Sequence, residues 1–317
     1  MESNKTKGII FGLIALLLVS IQPIVAIARP KIIDAYIFAA MTCLFITLIF
    51  LPLVIFERNQ IKSKIQNNPE NSQIFELQLH GWKKNYKFLI YLGINFAIAQ
   101  VLFFTAYQLA GAINGSLAAQ STLIFALIFG FLINREKISK IQIIFSIFLI
   151  FGLTLAITQG SFNILEFNIG VLIMMITAML WMLAHTMTKP ILDRNELTTT
   201  QLVFIRNFLS SIILISTYFI FFPLDNIEIL LNPYNYLFFI AMGFLYAFDL
   251  FFWYKSLAHI EVSKASIIVS PMPILTAFFA YIFLSEIFTI YHLIGSIIII
   301  FSIMIIVREK KEELSLE

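Results

Sequence analysis

Ten long apolar runs constrain this chain more than any other feature. They lie at roughly 8–28, 34–56, 86–109, 113–133, 140–158, 167–188, 201–222, 236–257, 263–284 and 288–307. A run of ~18 or more apolar residues crosses the ~30 Å hydrocarbon core of a bilayer as a helix, because no backbone donor or acceptor can be left open there. The chain is 60% hydrophobic and only 12% charged, about half the charged fraction of a soluble domain. The runs therefore do not read as core helices of a soluble protein. The predicted fold class is an all-α polytopic membrane protein with ten transmembrane helices. The first run, Gly8 to Ala28, has no small-residue cleavage site leading into a soluble domain and reads as a span. One connection is long, 57–85, polar and marked by the turn chemistry of Asn67-Asn68-Pro69. It reads as a solvated loop with room for a short surface helix.

Basic residues orient the spans. With the N-terminus in the cytoplasm, 18 of the 21 Lys and Arg fall in loops on that side, and Arg29 and Lys31 alone fall in loops on the other. Arg206 lies inside a span. This asymmetry follows the positive-inside rule and predicts both termini cytoplasmic.

The chain also repeats itself. Gly111 to Ser139 aligns with Glu261 to Thr289 at one offset, so that Gly115 matches Ala265, Leu123 matches Pro273, and Glu136 matches Glu286. "FFTAYQLA" before the first segment resembles "FFWYKSLA" before the second, and Arg29-Pro30 resembles Lys189-Pro190. The expected organisation is two five-helix repeats, 1–160 (with the cytoplasmic loop 57–85) and 161–317. Five is odd, so the second enters the membrane inverted. Two similar units of opposite orientation are the physical basis of many alternating-access carriers, with a site near the midplane.

The stretch carrying Trp253, Lys255, Leu257, Ala265, Pro273 and Glu286 resembles the hallmark segment of the drug/metabolite transporter superfamily, in particular its EamA-type branch. Trp181 and Arg206 resemble that family's aromatic and basic positions in spans six and seven. The resemblance covers almost the whole chain. It implies a secondary transporter of small organic solutes, exporting amino acids or related metabolites, driven by an ion gradient or by the solute's own gradient. The chain departs from the pattern at Leu123, where the first half lacks the proline, and at Ser20 to Val25, where the usual Trp-Gly is absent. Its 57–85 loop is long for the family. Isoleucine- and lysine-rich usage fits a prokaryote, whose cell membrane is the expected location.

Asp249 is the costliest residue in any span, and an intramembrane acid faces the bundle interior or a wet cavity. It could carry a coupling proton, bind a substrate amine, or form a structural pair with Arg206 or Lys255. Arg206 could bind a substrate carboxylate or snorkel to headgroups. Trp253 is one turn from Asp249 and could stack on a ring or a cation. Gln22 and Pro23 interrupt the first span, and Pro271 and Pro273 the ninth, freeing carbonyls that are tolerated where they line a cavity or meet a helix. The prolines are candidate hinges. Gln100, Tyr107, Asn114 and Gln120 can orient a polar solute or join helix to helix. Trp181 and His185 share a face of the sixth span. Glu136 and Glu286 end equivalent helices and are expected to act as gate or helix-end contacts.

No GxxxxGK[ST] loop, HExxH or His/Cys metal spacing occurs, so neither ATP, a metal nor any other cofactor is expected. The basic face is the ordinary positive-inside signature and does not imply nucleic acid. The expected partners are a small-molecule substrate, membrane lipid and a coupling proton. The competing classes are a membrane scaffold or lipid-interacting subunit on the same fold, and an intramembrane enzyme, for which no nucleophile–base set converges.

Overall fold

The computed structural model describes residues 2–67, 72–135, 137–163, 168–222, 228–257, 259 and 262–316. Among these, fourteen helices follow one another: α1 (Glu2–Ala28), α2 (Ala35–Asn67), α3 (Ser72–Lys84), α4 (Tyr86–Ala110), α5 (Ala112–Ala119), α6 (Thr122–Asn134), α7 (Lys140–Ile157), α8 (Ile169–Asp193), α9 (Thr199–Phe221), α10 (Glu228–Leu231), α11 (Pro233–Leu257), α12 (Val262–Val269), α13 (Met272–Leu284) and α14 (Ile290–Leu316). They supply ten spans long and apolar enough to cross a membrane. The fourth is made by α5 and α6 and the ninth falls mostly on α13, preceded by α12.

Local chemistry starts several helices. Ser139 and Gln142 form a capping box at α7, and Thr198 and Gln201 form another at α9. The Asn168 side chain accepts from the Gly170 amide at α8. Gly111, at φ 82, both ends α4 and leads into α5, a conformation that glycine adopts without a Cβ clash.

The helix pairings survive an exchange of the two repeats. The α1–α11 contact becomes α8–α4, α4–α9 becomes α11–α2, and α1–α13 becomes α8–α6. The pairs α2–α9 and α7–α14 map onto themselves. Two five-helix units of opposite entry pack about this relation. In α7–α14 the backbones nearly touch: a Cβ on Gly295 would lie 2.5 Å from the Gly152 carbonyl oxygen, the close approach that small residues permit in membranes.

Three features differ from the sequence reading. The described residues of the 57–85 stretch are almost all helical. At 33 residues α2 is about 50 Å long at 1.5 Å per residue, well beyond the bilayer core. Its end and α3 form a hairpin, with Ile61 and Leu79 buried. Helical hydrogen bonding simply continues past the apolar run. Second, Pro23 does not interrupt α1, which runs through it unbroken. Third, the fourth span breaks at Gln120–Ser121, where no proline stands, at the same offset as the break at Ser270–Pro271. Pro271 sits at the cap of α13 and Pro273 within its first turn.

Candidate functional site

Two charged residues of the interior, Arg206 and Asp249, stand on the second repeat and meet partners from the first. Arg206 follows the start of α9 by seven residues, and Asp249 precedes Ser256 near the end of α11 by seven. At 1.5 Å per residue both lie about 10 Å inside the same end of the bundle, the end that carries α3. They are near enough to interact electrostatically, yet no direct ion pair joins them. Instead the Gln22 amide, 1% exposed on α1, donates to Asp249 Oδ2 at 3.1 Å.

Arg206 is 3% exposed and its guanidinium carbon lies 3.8 Å from the centre of the Phe96 ring, a cation–π contact. Its Nε has no hydrogen-bond partner in the protein. His185 stands against the same Phe96 ring and against Tyr254, at 5.8 and 6.5 Å between centroids. Tyr246 interacts with both Arg206 and Asp249. Phe103 then joins Tyr246, Trp181 and Tyr107, at 6.2, 5.4 and 4.8 Å. Cys43 on α2 also feels Arg206.

Among the buried polar atoms without a protein partner, on these helices and the segments packed against them, are Thr42 Oγ1, Gln100 Nε2, Tyr107 OH, Ser121 Oγ and Trp181 Nε1. With Arg206 Nε they are chiefly donors. A buried unpaired polar group costs ~1–3 kcal/mol, and most such groups in native proteins are satisfied. A set of donors held this way suits water or a polar solute with several acceptor atoms.

Of the residues singled out in the sequence, Asp249, Gln22, Arg206, Gln100, Tyr107 and Trp181 thus lie on elements that pack together. Trp253 is partly buried one turn beyond Asp249. Gln120 sits at the break between α5 and α6. Asn114 belongs elsewhere. Near the opposite end of the bundle its Oδ1 lies 3.3 Å from His292 Nε2, which also meets Gln159 at 2.9 Å, and Gln159 accepts from Thr289 at 2.6 Å. At that end Glu286 caps α5: its two carboxylate oxygens accept from the Ala112 and Ile113 amides at 2.8 and 3.1 Å, where the helix dipole favours an anion. Glu136 lies outside the described residues. Sequence reasoning missed Phe96, Tyr246 and Thr42, which are ordinary span residues until their neighbours are known. Two clefts lie on other surfaces. A groove of about 350 Å³ opens between α2 and α9 beside Leu48 and Phe208, and a cleft of about 490 Å³ lies between the end of α2 and α3.

A bundle of ten crossings in two repeats, with polar groups gathered between them, defines the class of a polytopic membrane transporter. The model of the EamA-like transporter family matches residues 6–158 and 168–308, once for each repeat. The chain belongs to the EamA-like transporter family, within the drug/metabolite transporter superfamily. Among solved structures, one described as "Crystal structure of protein" is similar over 97% of this chain and 98% of that one, at 11% identity and a TM-score of 0.65. At that identity it speaks for the fold alone. The comparison with curated proteins found no match.

Proposed function

We propose that the protein is a secondary transporter that exports small organic solutes, amino acids or related metabolites among them, by alternating access. Its place is the cytoplasmic membrane of a prokaryote with both termini inside, a reading supported by the 18 basic residues on one side. The observation that carries the reading is the pairing of Arg206 and Asp249 at one depth, not bonded to each other, among buried donors without partners. Arg206, with Trp181 and Gln100, would hold a solute carboxylate. Asp249 would take a solute amine or a coupling proton. Gln100, Tyr107 and Gln120 would line the path with Trp253, while Pro271, Pro273 and Glu286 would serve its hinges and gates. Membrane lipid surrounds the bundle as its second partner.

The test is solute flux in proteoliposomes for wild type, Asp249→Asn and Arg206→Gln, with and without a pH gradient. Flux that follows the gradient in wild type only supports Asp249 as the coupling carboxylate. Equal, gradient-independent flux in wild type and Asp249→Asn sinks that role. Arg206→Gln is expected to raise KM for a carboxylate solute and to leave KM for its amide analogue unchanged.

A further inference from the structure

The α3 end of the bundle holds a second charged assembly that the transport site does not use. Glu196, in the turn between α8 and α9, is 2% exposed. Its carboxylate accepts from Lys84 Nζ at 2.6 Å, Asn85 Nδ2 at 2.8 Å and Arg194 Nε at 2.9 Å. The backbone closes in as well: a Cβ on Gly81 would lie 1.7 Å from the Glu196 carbonyl oxygen, so only glycine lets α3 seat on this turn. Alongside, Glu57 at the membrane end of α2 accepts from Thr198 and Thr200 at 2.7 and 3.3 Å. All of these except the Arg194 bond tie the first repeat to the second.

The next residue, Leu197, connects this assembly to the interior. It is buried with Leu89, Leu92, Phe96, Ile191 and Leu202 in an apolar cluster separate from the main core. Phe96 is the ring on which Arg206 rests. Lys84, Glu196 and Leu197 thus adjoin the apolar cluster that holds Phe96 and, on it, Arg206. This cluster would plug a way from the α3 end to the charged site.

We propose that the α2–α3 hairpin and the α3–α4 junction form a latch that closes this end of the solute path, with Glu196 held by Lys84 and Asn85 as its catch. When the α8–α9 turn leaves Gly81, Leu197 leaves the plug and Arg206 becomes accessible from the α3 side. The proposal rests on the transporter reading. Lys84, then Asn85, hold the Glu196 carboxyl down at about 2. It is covered by its own partners at the surface end of the bundle, so loss of water opposes this only in part. A depressed carboxylate keeps its bonds above its ordinary range and loses them as pH falls through about 2. Across pH 5 to 8 the catch stays charged, and acidity in that range does not release it.

The single cysteine, Cys43, is buried deeper in the bundle within electrostatic reach of Arg206 and serves as the reporter. The full chain is reconstituted in vesicles of one orientation, and a membrane-impermeant methanethiosulfonate is added from the α3 side. No solute is needed, so the result stands apart from whether a transported solute is found. Glu196→Gln and Lys84→Met are each expected to speed Cys43 labelling about tenfold, the shift that loss of one charge-assisted hydrogen bond gives. The double variant should be no faster than either single one. Arg194→Gln, which removes a contact inside one turn, should leave the rate unchanged. Equal rates in wild type, Glu196→Gln and Lys84→Met would overturn the latch. An equal acceleration in Arg194→Gln would overturn it too, because the effect would then be general loosening. Gly81→Ala, which forces the surfaces apart without touching a charge, keeps the test decisive if a charge variant does not fold.

Discussion

The protein breaks a membrane-spanning helix in each repeat, and the two breaks are built differently. Between α12 and α13 the break carries Ser270 and Pro271, whose missing amide stops the ladder. Between α5 and α6 it carries Gln120 and Ser121, both free to continue a helix. There the Gln120 and Ser121 amides turn to Leu117 and Ala118, at 3.0 Å each, three residues back, as the Ser270 amide turns to Ile267 at 3.3 Å, the tighter pattern of a 3₁₀ turn. The shorter pieces then run to matching ends: Arg135 and Ser285 are both left-handed, at φ 57 and 56, and their amides close onto Gly130 and Ala280. Two different sequences thus reach the same broken geometry. The break belongs to the way each span packs against its partners across the repeats, α5 on α8 and α12 on α1. Proline reinforces it in one copy and is dispensable in the other.

The largest expected effect comes from a pair that the two copies do not share. A Cβ on Gly115 would sit 2.6 Å from the Tyr107 ring, whereas its counterpart Ala265 keeps a fully buried methyl. Gly115→Val should cost about 3 kcal/mol or more, the upper range of overpacking, and should abolish a monodisperse peak in detergent size-exclusion chromatography. Ala265→Gly should lose only about 1 kcal/mol. Equal tolerance at both positions would mean that α5 is not pressed onto α4.

Glu286→Gln comes next. It removes the charge that caps α5 and nothing at α12, and is expected to cost about 1–2 kcal/mol. Hydrogen exchange should accelerate at Ala112 and Ile113 and stay unchanged at Ser270. Pro271→Ala should change stability in a thermal melt by less than about 1 kcal/mol and leave the break in place. A fused, continuously protected helix from Val262 to Leu284 would show that proline alone makes it. The converse change, Ser121→Pro, should keep the break. Ser121 already holds φ −60, the value proline imposes, but proline removes the amide that donates to Ala118, so a cost of about 1–2 kcal/mol is expected in the same thermal melt. Unfolding of that variant would show the two breaks to be less alike than their geometry.

Much of this architecture was legible beforehand. Ten apolar runs can only be helices in a medium without hydrogen-bonding partners, and the offset that pairs Gly115 with Ala265 also pairs the breaks. Asp249 and Arg206 stood out because charge inside a span is costly. The site's wiring was not legible. Gln22 reaches Asp249 across 227 residues of chain, and Phe96 is one phenylalanine among 34 until Arg206 lies on it. The candidate pair of Asp249 with Arg206 is replaced in the structure by one bond to Gln22 and one stacked ring.

Composition and periodicity by themselves determined the class, the number of crossings and the repeat, because burial of apolar backbone in lipid depends only on the local run of residues. Only the tertiary structure decided the unbroken path of α1 through Pro23, the proline-free break at Gln120–Ser121, the packing of the end of α2 against α3 and the seat of Glu196 against Gly81. Each of these is settled by contacts between segments far apart in the chain, whose energies no local pattern encodes.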